Sequence, residues 1–151
     1  MQIPLFKPQT EWLPPEDFPD LTQYCEIAID LETKDPNLNE RMGSGSVVGV
    51  GDVVGISVAT PDFCAYYPIA HEGGGNLDRK MVLKWLQDVL NTPSDKIFHN
   101  AMYDVCWLRS LGLTIKGRII DTMIAAALVD ENRLRYDLNG VCRDYIGKGK
   151  D

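Results

Sequence analysis

The sequence predicts an α/β domain: a mixed sheet, with an antiparallel hairpin ahead of parallel strands, flanked by helices. Three observations point there. Residues 26–33, 53–60 and 63–70 are short runs rich in β-branched and aromatic side chains, and the last two flank Pro61-Asp62, good turn residues. From residue 77 onward the apolar spacing turns helical and alternates with short apolar runs, the signature of helices interleaved with strands. A chain of 151 residues, 44% of them hydrophobic, suits one domain with a single sizeable core.

Each element has a local reason. Residues 1–23 hold Pro4, Pro8, Pro14, Pro15 and Pro19, five of the nine prolines. That predicts an extended N-terminal arm, packed by Phe6, Trp12, Leu13 and Phe18 onto the domain of residues 24–151. EIAIDLET (26–33) is the first strand. The glycine-rich GSGSVVGVGDVVG (43–55) lacks both GxxxxGK[ST] and GxGxxG and leads into a strand, so it predicts a flexible loop and not a phosphate cradle. VVGISVAT (53–60) and FCAYYPIA (63–70) form the hairpin, and the glycines of 73–75 a linker. LDRKMVLKWLQDVL (77–90) has apolar residues at 82, 85, 86, 89 and 90 and stops at Asn91 and Pro93, an amphipathic helix. KIFH (96–99) is a strand, NAMYDVCWLRSLG (100–112) a helix ended by Gly112, and GRII (117–120) a strand. Asp121 caps the helix TMIAAALV, and Asp137 caps LNGVCRDYI, whose Leu138, Val141, Cys142, Tyr145 and Ile146 make an apolar stripe. The order is β-β-β-α-β-α-β-α-α.

A net charge of −7 argues against a broad basic face gripping nucleic acid. Bound cations can reverse the local field of a site, so nucleic acid stays open as a partner. Cys25, Cys64, Cys106 and Cys142 stand singly with no CxxC pair, and the chain has two histidines; zinc-ribbon and thioredoxin motifs are absent. Three of these cysteines lie in apolar runs, predicting core thiols in a reducing compartment. The first residues lack a charged stretch leading into an apolar one, and no run approaches the roughly 18 apolar residues of a membrane span. The expectation is a cytoplasmic protein with no membrane partner.

The chemistry concentrates at two places. Asp30 and Glu32, at i and i+2 of a strand, project to one face with Ala28, while Ile27, Ile29 and Leu31 face the other way. Two neighbouring carboxylates repel and require a cation or a shared proton; hard oxygen donors suit Mg²⁺ or Mn²⁺. An acidic strand end fraying into solvent is the plain alternative. Asn100 and Asp104, four apart, begin the helix after the strand 96–99. If that strand runs parallel beside 26–32, Asp104 approaches Asp30 and Glu32 at the carboxyl edge of the sheet, where ligands bind in open α/β sheets. His99 is read as a hydrogen-bonding residue at the strand end beside this site.

DLET (30–33) and HNAMYD (99–104), followed by DTM (121–123), resemble the first two motifs of the DEDD 3′-5′ exonucleases. The likeness is to the proofreading domain of family A, polymerase I-like DNA polymerases, including phage-encoded ones, and it covers residues 24–147. The resemblance implies a ribonuclease H-like fold and two divalent metal ions, Mg²⁺ or Mn²⁺. One ion activates a water for attack on the terminal phosphodiester and the other stabilises the leaving 3′ oxygen, about 3.5–4 Å apart. It implies Asp30, Glu32 and Asp104 as catalytic metal ligands, with Asp30 bridging both ions. It implies Leu31, Thr33 and Asn100 as contacts to the terminal nucleotide through stacking, backbone and polar contacts. The implied partners are the 3′ end of a DNA single strand and a polymerase domain or a separate C-terminal half. The implied location is the cytoplasm, the host's if the chain is phage-encoded.

The third motif of that family, a carboxylate four residues after a tyrosine or five after a histidine, is missing. No tyrosine here has an aspartate four residues on, and the one histidine match, His99, leads to Asp104 of the second motif. Asp137 and Asp121 read as caps and Asp144 as a solvated helix acid. The expectation is a domain incomplete at its C-terminal end that hydrolyses DNA poorly by itself. Two rivals keep the same acids: a ribonuclease D-like RNA exonuclease, and a non-catalytic scaffold of the same fold.

Overall fold

Alternation along the central strand organises the molecule, described by a computed structural model over residues 12–40 and 43–149. In β1 (Glu26–Lys34) the odd-numbered Ile27, Ile29 and Leu31 are buried and the intervening residues are not. A strand with one fully apolar face must place that face on a core. β2 (Asp52–Ala59) pairs antiparallel with β1, and β3 (Cys64–Pro68) antiparallel with β2, making the hairpin around Pro61-Asp62. β4 (Asp95–Phe98) lies parallel to β1, and β5 (Ile119–Asp121) parallel to β4. The order across the sheet is β3-β2-β1-β4-β5, the mixed sheet expected.

Helix α2 (Arg79–Leu90) begins where Asp78 accepts the Met81 N–H, and it buries Val82, Trp85, Leu86, Val89 and Leu90. α3 (Ala101–Ser110) buries Ala101, Trp107 and Leu108. Both join Ile27, Ile29, Leu31, Val58 and Phe98 in one apolar cluster on the odd-numbered face of β1. The parallel pairing of β1, β4 and β5 brings their carboxyl ends to one edge, where α3 and α4 (Thr122–Val129) start.

Lys96, fully buried on β4, is satisfied by the Thr92, Ser94 and Lys116 carbonyls at 2.8, 2.9 and 3.0 Å. Its ammonium thereby ties the turn after α2 to the approach of β5. Residues 12–23 run along α2 and β3: the Trp85 indole N–H donates to the Pro19 carbonyl, the Tyr67 hydroxyl donates to that of Asp17, and Phe18 stacks on Tyr67. Trp12 packs against Tyr66, whereas Leu13 is exposed. Phe6, Pro4 and Pro8 lie outside the described residues.

Three expectations need correction. The glycine-rich stretch expected as a flexible loop holds a one-turn helix α1 (Gly45–Val48), preceded by a 3₁₀ turn (Pro36–Glu40), and both Asp35 carboxylate oxygens accept the Gly45 N–H. The apolar stripe of α5 (Leu138–Ile146) forms a helix as predicted but finds no core; none of its residues is buried and Ile146 is 68% exposed. The cysteines are free but none is buried, and Cys25, just ahead of β1, and Cys64, at the start of β3, are exposed. Among the described residues no helix is long and apolar enough to cross a membrane.

Candidate functional site

The carboxyl edge of the sheet gathers Asp30 and Glu32 from β1, Asn100 and Asp104 from the start of α3, and Asp121 from the end of β5. Asp104 is the centre of this group. It is 3% exposed, and its Oδ1 accepts the backbone N–H of Leu31 at 3.2 Å. This bond joins α3 to β1 between the two strand acids.

Burial pushes the Asp104 carboxyl up to about 7, with the charge of Asp30 and then that of Asp121 adding to the rise; the Leu31 N–H offsets part of it. A buried acid raised by a neighbouring acid marks a place short of positive charge. Among the described residues no Lys or Arg pairs with Asp104.

Glu32 stands apart from this pair. It is exposed, is paired across the sheet with Gly55, and is followed by a bulge between Glu32 and Thr33. Among the described residues no three His, Cys, Asp or Glu side chains form a group that could hold a metal ion. Of the three expected carboxylates, Asp30 and Asp104 are coupled through their charges. The donors still fit a hard divalent cation in chemistry: two electrostatically coupled carboxylates, one buried and without a cationic side chain.

The expected substrate contacts are placed unevenly. The Leu31 side chain is buried in the core and its N–H is held by Asp104. The Thr33 hydroxyl is bonded to the Tyr103 hydroxyl at 2.7 Å, and Tyr103 also donates to Asp35 at 3.0 Å. Asn100 is exposed, with φ of 68° and no side-chain cap bond. An asparagine tolerates this left-handed turn, and the turn is fixed by Asp121. The Asp121 carboxylate accepts the N–H groups of Asn100 and Ala101 at 3.0 and 2.8 Å while capping α4 through Met123.

Asp121 therefore does more than the cap read from the sequence. A cap signal is local, and nothing in the DTM stretch shows that the same carboxylate also anchors the start of α3. His99 sits at the end of β4 as expected, with Nδ1 against the Thr122 hydroxyl at 2.9 Å and Nε2 donating to the Tyr136 carbonyl at 2.7 Å. On the even-numbered face of β1 a cleft of about 250 Å³ runs beside Asp30, lined by Ala28, Ser57, Ala59, Ile97, His99 and Leu138. Asp144 pairs with Arg133 and Asp137 caps α5; neither joins the site.

Known proteins resemble this chain in sequence and in fold. The family model of a 3′-5′ exonuclease, that of A-type DNA polymerases, covers residues 16–151. The DNA-directed DNA polymerase of Pseudomonas phage M6 is 31% identical over 159 aligned positions, which take in 100% of this chain and 24% of that protein. The chain spans about a fifth of the length of the curated relatives it matches. Among solved structures, Brucella melitensis NrnC with bound Mg²⁺ has a TM-score of 0.62 at 18% identity, over 87% of this chain and 58% of NrnC. Escherichia coli RNase D, an exoribonuclease involved in structured RNA processing, has a TM-score of 0.59 at 20% identity, over 86% of this chain and 30% of RNase D. These two share the fold.

Proposed function

Because the chain belongs to the 3′-5′ exonuclease family of A-type DNA polymerases, we propose that its site hydrolyses nucleotides from the 3′ end of a DNA single strand, as a proofreading domain does. The observation that carries this reading is the buried Asp104, held to the strand that bears Asp30 and raised by that neighbour's charge. An ordinary solvated helix acid has neither property.

In this reading Asp30, Asp104 and, after a side-chain rotation, Glu32 hold two divalent cations, Mg²⁺ or Mn²⁺. When bound, such ions supply an activated water and stabilise the leaving oxygen. The chain's own residues do the placing. The bond from Leu31 N–H to Asp104 fixes the strand between its two acids. Asp121 sets the left-handed turn that presents Asn100 to the terminal nucleotide. Thr33 contacts the same nucleotide through its backbone, its hydroxyl being engaged by Tyr103.

Sequence relationship to a DNA-directed DNA polymerase at 31% identity supports DNA over RNA, since the likeness to RNase D extends to the fold alone. The proposed partner is a polymerase domain, and the proposed setting is the cytoplasm where that polymerase copies DNA. Residues 24–151 are the exonuclease unit and residues 1–23 its arm.

The test uses the full chain, single-stranded DNA and RNA labelled at the 5′ end, Mn²⁺, and Asp30→Ala alongside. The expected outcome is slow stepwise shortening from the 3′ end, faster on DNA, together with Mn²⁺ binding that Asp30→Ala abolishes. Internal cutting, shortening that survives Asp30→Ala, or Mn²⁺ binding indifferent to Asp30 refutes the reading. Faster shortening of RNA transfers it to the ribonuclease D-like class.

A further inference from the structure

On the β3 side of the site stand a tyrosine and a histidine to which the exonuclease reading gives no role. Glu32 faces Gly55 across the β1–β2 ladder. A Cβ built on Gly55 would lie 1.8 Å from the Tyr66 hydroxyl oxygen and 2.3 Å from its Cζ. The phenol end of Tyr66 therefore fills the space that a side chain at residue 55 would take. Directly opposed residues of antiparallel strands hold their Cβ atoms about 4.5–5.5 Å apart. The Tyr66 oxygen accordingly stands within reach of the Glu32 carboxylate.

The Tyr66 hydroxyl is hydrogen-bonded to Nε2 of His71, and the two rings meet edge to face at 5.8 Å. His71 is fixed in turn by Asn76: its backbone N–H donates to Asn76 Oδ1 at 2.7 Å, and its carbonyl accepts from Asn76 Nδ2 at 2.9 Å. Trp12 packs against the Tyr66 ring at 5.9 Å. Between a phenol and a neutral imidazole, the phenol is the better donor and the ring nitrogen the better acceptor, so the shared proton is that of Tyr66. A phenol has one proton to donate. Committed to His71, it is withheld from Glu32.

We propose that Tyr66 and His71 are positioning residues of the site: His71 accepts the hydrogen bond of the Tyr66 hydroxyl and so keeps the Glu32 carboxylate free for a divalent cation. The phenol oxygen then turns lone pairs towards Glu32 and keeps that carboxylate from folding back onto β3. Without His71 the phenol rotates and donates to Glu32, and a hydrogen bond to a charged acceptor competes with the cation. This inference rests on the exonuclease reading.

Calorimetric titration of Mn²⁺ into the full chain tests it. The set is the unaltered chain, Asp30→Ala, His71→Ala, His71→Gln and the double variant Tyr66→Phe/His71→Ala, each checked by thermal melting. His71 is exposed, so these changes leave the core intact. His71→Ala is expected to bind Mn²⁺ roughly tenfold more weakly, the effect of one hydrogen bond to a charged group. His71→Gln retains an acceptor and binds within about twofold of the unaltered chain, on the same accounting of one retained hydrogen bond. Removing the phenol hydroxyl in the double variant restores affinity, which loss of a merely structural contact does not do. The inference is overturned if His71→Ala binds Mn²⁺ like the unaltered chain, or if the double variant stays as weak as His71→Ala. If the unaltered chain shows no Asp30-dependent binding, the exonuclease reading fails and takes this inference with it.

Discussion

Replacing Asp104 by asparagine should stabilise the metal-free protein in alkali and do progressively less as the pH falls. Asp104 is almost fully buried, and its carboxyl is raised from an ordinary 3.8 to about 7, first by burial and then by Asp30. Between those two values the folded state holds a proton that the unfolded chain has released. Unfolding then sheds a proton, so stability falls as pH rises from about 4 to 7 and levels off above. At 1.36 kcal/mol per pH unit the full gap amounts to roughly 4 kcal/mol, of which roughly 2.5 kcal/mol is lost between pH 5 and pH 8. Asparagine has nearly the same shape and carries no charge, so its stability is free of this loss. The assay is urea unfolding in EDTA at pH 5 and pH 8, followed by the fluorescence of the buried Trp85 and Trp107. The difference between Asp104→Asn and the unaltered chain should move by roughly 2.5 kcal/mol in favour of asparagine across that window. Adding Asp30→Asn to both should shrink the movement, because the second cause of the rise is gone. A difference that stays constant from pH 5 to pH 8, or that turns against asparagine as pH rises, refutes the picture of a buried acid under electrostatic stress.

Two predictions concern the frame around the site. Lys96→Met removes an ammonium that satisfies three buried carbonyls, so urea unfolding should show a loss of about 3 kcal/mol, larger than an exposed lysine gives. Asp121→Ala releases the starts of both α3 and α4 and should cost about 2 kcal/mol at pH 7. Burial pushes the Asp121 carboxyl up, but the N–H groups of Ala101, Asn100, Met123 and Ile124 outweigh it and hold the value below 3.8. The charge-dependent part of its stabilisation is thus complete above about pH 4 and is lost as pH falls through the lowered value, so the gap between the two proteins should narrow as the pH falls below about 4.

What was legible in the sequence divides along the range of the interactions involved. Asp121 and Asp137 cap helices through N–H groups two or three residues ahead, and local chemistry of that kind can be read in place. The alternation in EIAIDLET likewise sets which side chains of β1 are buried without knowing what buries them. The short helix α1 could not be read, because Asp35 reaches ten residues ahead to Gly45 and is itself held by Tyr103 of α3. Helical spacing in α5 predicts a helix and an apolar stripe but carries no information on a partner, and here no residue of the stripe is fully buried.

The site follows the same division. That Asp30 and Glu32 share a face is a property of any strand. Whether they share a ligand depends on their neighbours, and those differ. Asp30 meets Asp104, the first-turn acid of the helix after a parallel strand, a relation that strand order implies. Glu32 faces Gly55, whose missing side chain leaves room for the Tyr66 phenol. A glycine in the middle of a β-branched run looks like a weak point in a strand. Here it makes room for the phenol whose hydrogen bond to His71 decides whether the second carboxylate of the strand is free. The two acids of one motif are therefore not equivalent. One is committed by burial of its partner and the other is governed from β3, so substitutions at Asp104 and at His71 should act on cation binding by separable routes.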